Sequence, residues 1–166
     1  MSDDLPHFMR ESLWGRLRTR LFHLWFVLRR PMTFGVRGVV YDEAANSVFL
    51  IRHTYVPGWQ LPGGGVEAGE TAYEALAREL EEEGNIVFGD TPALLKSLHF
   101  NRNVSRRDHV ALYLVTSYRQ TSPKTPDMEI AEAGFFGLDS LPDETSPATL
   151  RRLAEIFEGK LAEPYW

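Results

Sequence analysis

The stretch from Gly63 to Ile86, GGGVEAGETAYEALARELEEEGNI, constrains this chain more than any other. A run of glycines feeds directly into a segment rich in helix formers. Thr71 stands where a helix N-cap belongs, and Glu74 three residues on completes a capping box. Glu79, Glu82 and Glu83 then fall at i, i+3 and i+4, which puts all three on one helical face. Like charges at that spacing repel by roughly 0.2–0.5 kcal/mol per exposed pair. A divalent cation turns the repulsion into attraction, and an oxygen-only donor set suits a hard ion, Mg²⁺ or Mn²⁺, rather than zinc. Glycines entering a helix N-terminus also present backbone amides to a phosphate. As structure alone they would be a tight loop that lets helix and sheet pack closely.

This stretch resembles the Nudix box: Gly, five residues, Glu, seven residues, then Arg-Glu-aliphatic-any-Glu-Glu-any-Gly-aliphatic. Gly64, Glu70, Arg78, Glu79, Leu80, Glu82, Glu83 and Ile86 stand in register, and Asn85 replaces the pattern's last glycine. Asn is the residue next most tolerant of a positive φ, so the departure bears on the helix exit and leaves the acidic positions intact. The resemblance implies an α/β chain with a mixed β-sheet sandwiched between helices, an α-β-α sandwich. It implies Mg²⁺- or Mn²⁺-dependent hydrolysis of a diphosphate linkage in a nucleoside di- or triphosphate or a nucleoside diphosphate conjugate. It also implies that Gly63 offers a backbone carbonyl to the metal, with Glu79, Glu82 and Glu83 as carboxylate ligands and Glu70 paired with Arg78. Arg78 equally suits a plain helical ion pair with Glu74, four residues earlier. The base that takes the proton from the attacking water stays open between Glu82 and Glu83 in the box and Asp108, Glu129 and Glu132 outside it. Glu67 and Glu81 read as solvated.

Around this stretch the order of elements is α/β or α+β. Residues 1–6 read as disordered, and Met9 to Arg30 as a helix with Leu13, Leu17, Leu21, Leu24 and Leu28 on one face, closed by Pro31. The opposite side mixes Arg16, Arg18, Arg29 and Arg30 with Phe22 and Phe26. The leucine stripe favours packing or a homodimer contact; the basic aromatic side would suit the surface of a membrane. Residues 1–31 thus form an appended helix and 32–166 the domain proper. Strands are expected at Thr33 to Tyr41 and Ser47 to Arg52, joined as a hairpin, then near Trp59 to Leu61, Ala93 to Phe100, Val110 to Tyr118 and Gly134 to Leu138. A last helix opens with Ser146 as N-cap and Pro147 in its first turn, and the Tyr165-Trp166 tail is expected to tuck against the domain.

Substrate contacts are carried by weaker signals. Arg102, Arg106 and Arg107 share one loop and suit phosphate or carboxylate as well as plain solvation. Arg52, His53, Tyr55 and Trp59 precede the glycines where a nucleoside would stack, although Trp59 fits the core equally well. His99 and His109, at strand ends, read as structural. The net charge of −5 argues against nucleic-acid binding driven by charge alone, and the absence of cysteine excludes disulfides and thiolate metal sites. No secretory signal or membrane span is evident, so a cytoplasmic location is the expectation. Two other function classes remain: a non-catalytic nucleotide-binding module of the same fold, and a membrane-associated hydrolase of a lipid or isoprenoid diphosphate. The number of metal ions, the substrate and the oligomeric state are not encoded in these signals.

Overall fold

A computed structural model describes residues 13–29 and 31–166. The stretch expected to be disordered and the expected helix start at Met9 lie outside those residues. The chain divides into two compact units, Met1–Met32 and Thr33–Trp166. In the first, α1 (Leu13–Arg29) exposes Trp14, Leu17, Leu21 and Leu24, and the Arg29 guanidinium lies 5.8 Å from the centre of the Trp25 ring. No described helix is long and apolar enough to cross a membrane.

The second unit runs β1 (Thr33–Asp42), β2 (Ser47–His53), β3 (Trp59–Gln60), α2 (Ala72–Gly84), β4 (Ile86–Phe88), β5 (Leu94–Phe100), β6 (Asp108–Val115), β7 (Tyr118–Gln120), β8 (Ile130–Gly137) and α3 (Pro147–Phe157). The main sheet has the order β3-β2-β1-β6-β5, with β8 on β2. It is mixed, because β1 and β6 run parallel from Thr33↔Asp108 to Val40↔Val115 while the other pairs are antiparallel. The β1–β2 hairpin turns where Asp42 accepts hydrogen bonds from the amides of Ala44 and Ala45 and Asn46 takes φ 47°.

Strands buried on both faces read as continuous apolar runs, and VVY and VFLI in β1 and β2 are such runs. Alternation sends Val36, Val40, Phe49 and Ile51 to one face, where Leu76 and Leu80 of α2 cover them. Val39, Val48 and Leu50 go to the other, with Trp59, Leu61, Leu112 and Leu153 of α3. The result is the α-β-α sandwich, with α2 and α3 on opposite faces.

Both expected caps form. Thr71 accepts the Glu74 amide while Glu74 accepts the Thr71 amide, and Ser146 accepts the Thr149 amide ahead of Pro147. Asn85 leaves α2 at φ 53°, ψ 35°, the left-handed conformation that glycine would have supplied. Its carbonyl accepts the Thr121 amide at 2.9 Å, and its side-chain amide donates to Ser122 Oγ at 3.1 Å.

Three expectations need correction. The strand expected to reach Tyr118 stops at Val115, and Tyr118–Gln120 instead pairs with Ile86–Phe88 as a separate two-stranded sheet. The polar loop ends at Arg107, since Asp108 and His109 already open β6 beside β1. Leu150, which the sequence groups with Leu153, Ile156 and Phe157 on one apolar face of the last helix, is 44% exposed, and Arg152 takes the interior place.

Candidate active site

Three elements meet at Gly63: the end of β2, the glycine turn, and the face of α2 that carries the glutamates. Gly63 has φ 134°, and a Cβ there would drive into the Val36 carbonyl, so only glycine makes this turn. The turn aims the Gly63 amide at Glu83 Oε2, 2.6 Å away. The Gly63 carbonyl accepts a hydrogen bond from Arg37 Nη1, which also donates to the Leu61 carbonyl at 3.1 Å. A carbonyl has two lone pairs, and Arg37 occupies one of them. Next along, a side chain on Gly64 would collide with the Glu79 carboxylate; its absence is what lets that carboxylate lie against the turn.

Arg78 gathers one half of the acidic set. Its guanidinium donates to Glu70 at 2.9 Å, to Glu79 at 2.8 Å, to the Gly65 carbonyl at 3.0 Å and to Glu82 at 3.4 Å. Glu74 turns back to its own cap, accepting the Thr71 amide at 2.8 Å. The hydrogen bond from Arg78, then the Glu67 amide, hold the Glu70 carboxyl below its usual range. Burial raises Glu79, opposed by Arg78. Glu82 stays largely in solvent, its side chain 61% exposed.

Glu83 makes up the other half. It is buried, and burial pushes its carboxyl up to about 8, with Arg37 pulling the other way. Beside it, His53 at the end of β2 is 7% exposed, with Nε2 3.7 Å from Glu83 Oε1 and Nδ1 without a hydrogen-bond partner. Burial and then Arg37 hold the imidazole below its usual pKa, with Glu129 pulling the other way. The Glu129 backbone carbonyl also lies near the ring, outside hydrogen-bond geometry. Donor atoms of His53, Glu83 and Glu129 all lie within 4.8 Å of one another.

Glu129 is delivered by the loop before β8. Asp127 accepts the amides of Glu129 at 2.8 Å and Ile130 at 2.7 Å, and Lys124 Nζ joins Asp127 at 2.6 Å to the Glu82 carbonyl at 2.7 Å. The Ile130 amide, then Lys124, draw the Asp127 carboxyl down to about 2. Tyr55 donates to Glu129 at 2.9 Å; its phenol is raised by burial first and by that carboxylate second.

The other predicted residues are placed as follows. Arg52 pairs with Glu132 and lines a cavity of about 620 Å³ with His53, Tyr55, Gly58 and Ser146 at the start of α3. Asp108 is buried with both oxygens engaged, by Thr33 at 2.7 Å and Asn101 at 2.8 Å. Arg102 lies 4.8 Å from the Tyr165 ring centre; Arg106 and Arg107 are exposed, and none of the three lines that cavity. Trp59 is core, and Glu67 and Glu81 face solvent. Arg37 is the residue that sequence reasoning passed over. A lone arginine inside the otherwise apolar run of β1 was the available signal.

The donor chemistry fits a divalent ion: the carboxyl groups of Glu83 and Glu129 and the imidazole of His53 converge, and Gly64 leaves room for the Glu79 carboxylate. A NUDIX domain model matches residues 31–156. The chain belongs to the NUDIX family. Among curated NUDIX relatives, an RNA pyrophosphohydrolase of Alkalilimnicola ehrlichii is 42% identical over 57 residues, 34% of this chain and 32% of that protein. Another of Photobacterium profundum is 37% identical over 65 residues, 39% of this chain and 37% of that protein. The chain thus spans about a third of either. Among solved structures, a MutT NUDIX hydrolase from Burkholderia pseudomallei aligns at TM-score 0.63 and 25% identity, over 75% of this chain and 97% of that one. An ADP-ribose pyrophosphatase from Streptococcus suis aligns at TM-score 0.57 and 20% identity over 79% and 96%, a likeness of fold alone.

Proposed function

We propose that this chain is a divalent-metal-dependent pyrophosphohydrolase, cleaving the diphosphate linkage of a nucleoside di- or triphosphate or a compact nucleoside diphosphate conjugate. The observation that carries the reading is Glu83: a buried carboxylate held by the Gly63 amide, with Glu129 and His53 converging on it. Burial pushes this carboxyl up to about 8, a cost to folding that a bound divalent cation would offset. The RNA pyrophosphohydrolases among the curated relatives agree in reaction class.

Glu83, Glu129, Glu79 and, from the exposed side, Glu82 are the residues that would hold the ion, Mg²⁺ or Mn²⁺. Bound there, such an ion neutralises phosphate oxygens and acidifies water. The protein's own share is positioning. Arg78 fixes Glu79 and Glu70 in one orientation, and the Asp127 loop sets Glu129 opposite Glu83. Glu83 and Glu129 would be the carboxylates that take a proton from the attacking water. Arg52 and Tyr55, at the cavity beside His53, supply a cation and a ring edge for the rest of the substrate, and about 620 Å³ matches a nucleotide-sized ligand.

The test is a panel of nucleoside di- and triphosphates and nucleoside diphosphate conjugates, assayed with Mg²⁺ and Mn²⁺ for released phosphate or monophosphate. Wild type turns over at least one of them, and Glu83→Gln loses about 10²–10⁴ of that rate. Calorimetric binding of a nucleotide with no turnover by either protein would replace this reading with a binding module.

A further inference from the structure

His53 sits in the acidic site without a structural task. It is 7% exposed, so burial has stripped its ring of water. Buried imidazole nitrogens are ordinarily hydrogen-bonded. Among the described residues Nδ1 has no hydrogen-bond partner, and Nε2 stands 3.7 Å from Glu83 Oε1, beyond hydrogen-bond reach. The spacing is that of two ligands on one ion. Donors about 2.0–2.3 Å from a common metal, at right angles or wider, lie about 3–4.5 Å apart. The donor atoms of Glu83, Glu129 and His53 all fall within 4.8 Å.

Resting on the metal-dependent reading above, we infer that His53 is itself a metal ligand, so that the site binds Mn²⁺ in preference to Mg²⁺. The preference follows from the donor. Mg²⁺ is hard, holds its waters and takes oxygen, whereas imidazole nitrogen is a good ligand for first-row transition ions. The sequence pattern of three glutamates describes an all-oxygen site, and His53 changes its character from the neighbouring strand. Tyr55 packs beside the ring at 5.1 Å between centres and donates to Glu129, so one side chain orients two of the three donors.

Mn²⁺ bound to the full-length protein provides a direct readout by pulsed electron paramagnetic resonance, independent of any activity. Wild type shows ¹⁴N modulation from a directly bound imidazole. His53→Gln, which puts an amide oxygen near the same place, still binds Mn²⁺ but loses that modulation. By calorimetry its Mn²⁺ affinity falls about 10–100-fold while its Mg²⁺ affinity changes less than about threefold. Mn²⁺ bound without nitrogen, or nitrogen modulation that survives in His53→Gln, overturns the inference and leaves the hydrolase reading standing. Loss of all hydrolysis across the nucleotide panel is the separate result that fells the hydrolase reading. His53→Asn serves as the second variant should the glutamine fail to fold.

Discussion

Two buried histidines sit at opposite ends of the molecule's chemistry. His99, on β5, is 1% exposed and fully engaged: Nε2 accepts from Ser97 Oγ at 2.7 Å and Nδ1 donates to the Glu163 carbonyl at 2.7 Å. Arg152 Nη1 lies 3.0 Å from the same ring and donates to the Tyr165 carbonyl at 3.0 Å, while its other arm pairs with Glu155. That network fastens the C-terminal tail to the sheet, and Tyr165 bridges to Phe100. His53 is nearly as buried, yet among the described residues its Nδ1 has no hydrogen-bond partner. Burial lowers both pKa values. What separates them is satisfaction: the ring that holds the fold together has its partners in place, and the ring beside Glu83 lacks them.

The sharpest way to break this contrast is at Glu83. Glu83→Gln should cut turnover about 10²–10⁴-fold while leaving urea-unfolding stability of the metal-free protein equal or higher, because a neutral amide replaces a buried carboxylate. A large loss of stability would make Glu83 a structural residue like Arg152. At the other pole, Arg152→Ala leaves Glu155 and the tail carbonyls without their donor. It should cost about 3–5 kcal/mol in urea unfolding, with turnover per folded molecule unchanged.

The histidines themselves come next. His99→Gln should cost about 1–3 kcal/mol at pH 8, against less than about 1 kcal/mol for His53→Gln without metal. The penalty at His99 should shrink on acidification. Its folded pKa lies below the ordinary 6.5, held down by burial first and by Arg152 second, against the Glu163 carbonyl and Glu155. The unfolded ring therefore takes up a proton that the folded ring resists, and the stability His99 brings above pH 6.5 is lost as pH falls below it. Wild type and His99→Gln unfolding midpoints should converge toward pH 5. The smallest effect is expected at Lys124→Ala, which frees Asp127 from the Glu82 carbonyl. It should lower turnover about 3–10-fold through a looser Glu129, with the unfolding midpoint almost unmoved.

Much of this site was legible because it is local. The capping box at Thr71 and the left-handed exit at Asn85 follow from residues within one helix and its flanks, and the pairing of Arg78 with Glu70 was implied by the resemblance to the Nudix box. What stayed hidden comes from elsewhere in the chain. Arg37 and His53 reach the glycine turn only because β1 and β2 run side by side beneath it, and no spacing in the sequence announces that meeting. Glu129 was one of five candidate bases, and only the Asp127 turn singles it out. The β4–β7 sheet was missed because three-residue strands are too short to show a period. Nothing near Arg152 in sequence foretells the tail that covers it.

Asn85 departs from the family pattern and is also a fastening. A glycine there would make the same bend and hold nothing, whereas the asparagine amide hooks Ser122 as its own carbonyl takes Thr121. Two residues further on, Lys124 is tied to Glu82 and Asp127. The end of the acidic helix and the segment bearing Glu129 are therefore laced into one rigid piece. Restoring the pattern's own letter at position 85 would lengthen the leash on a carboxylate the helix does not carry.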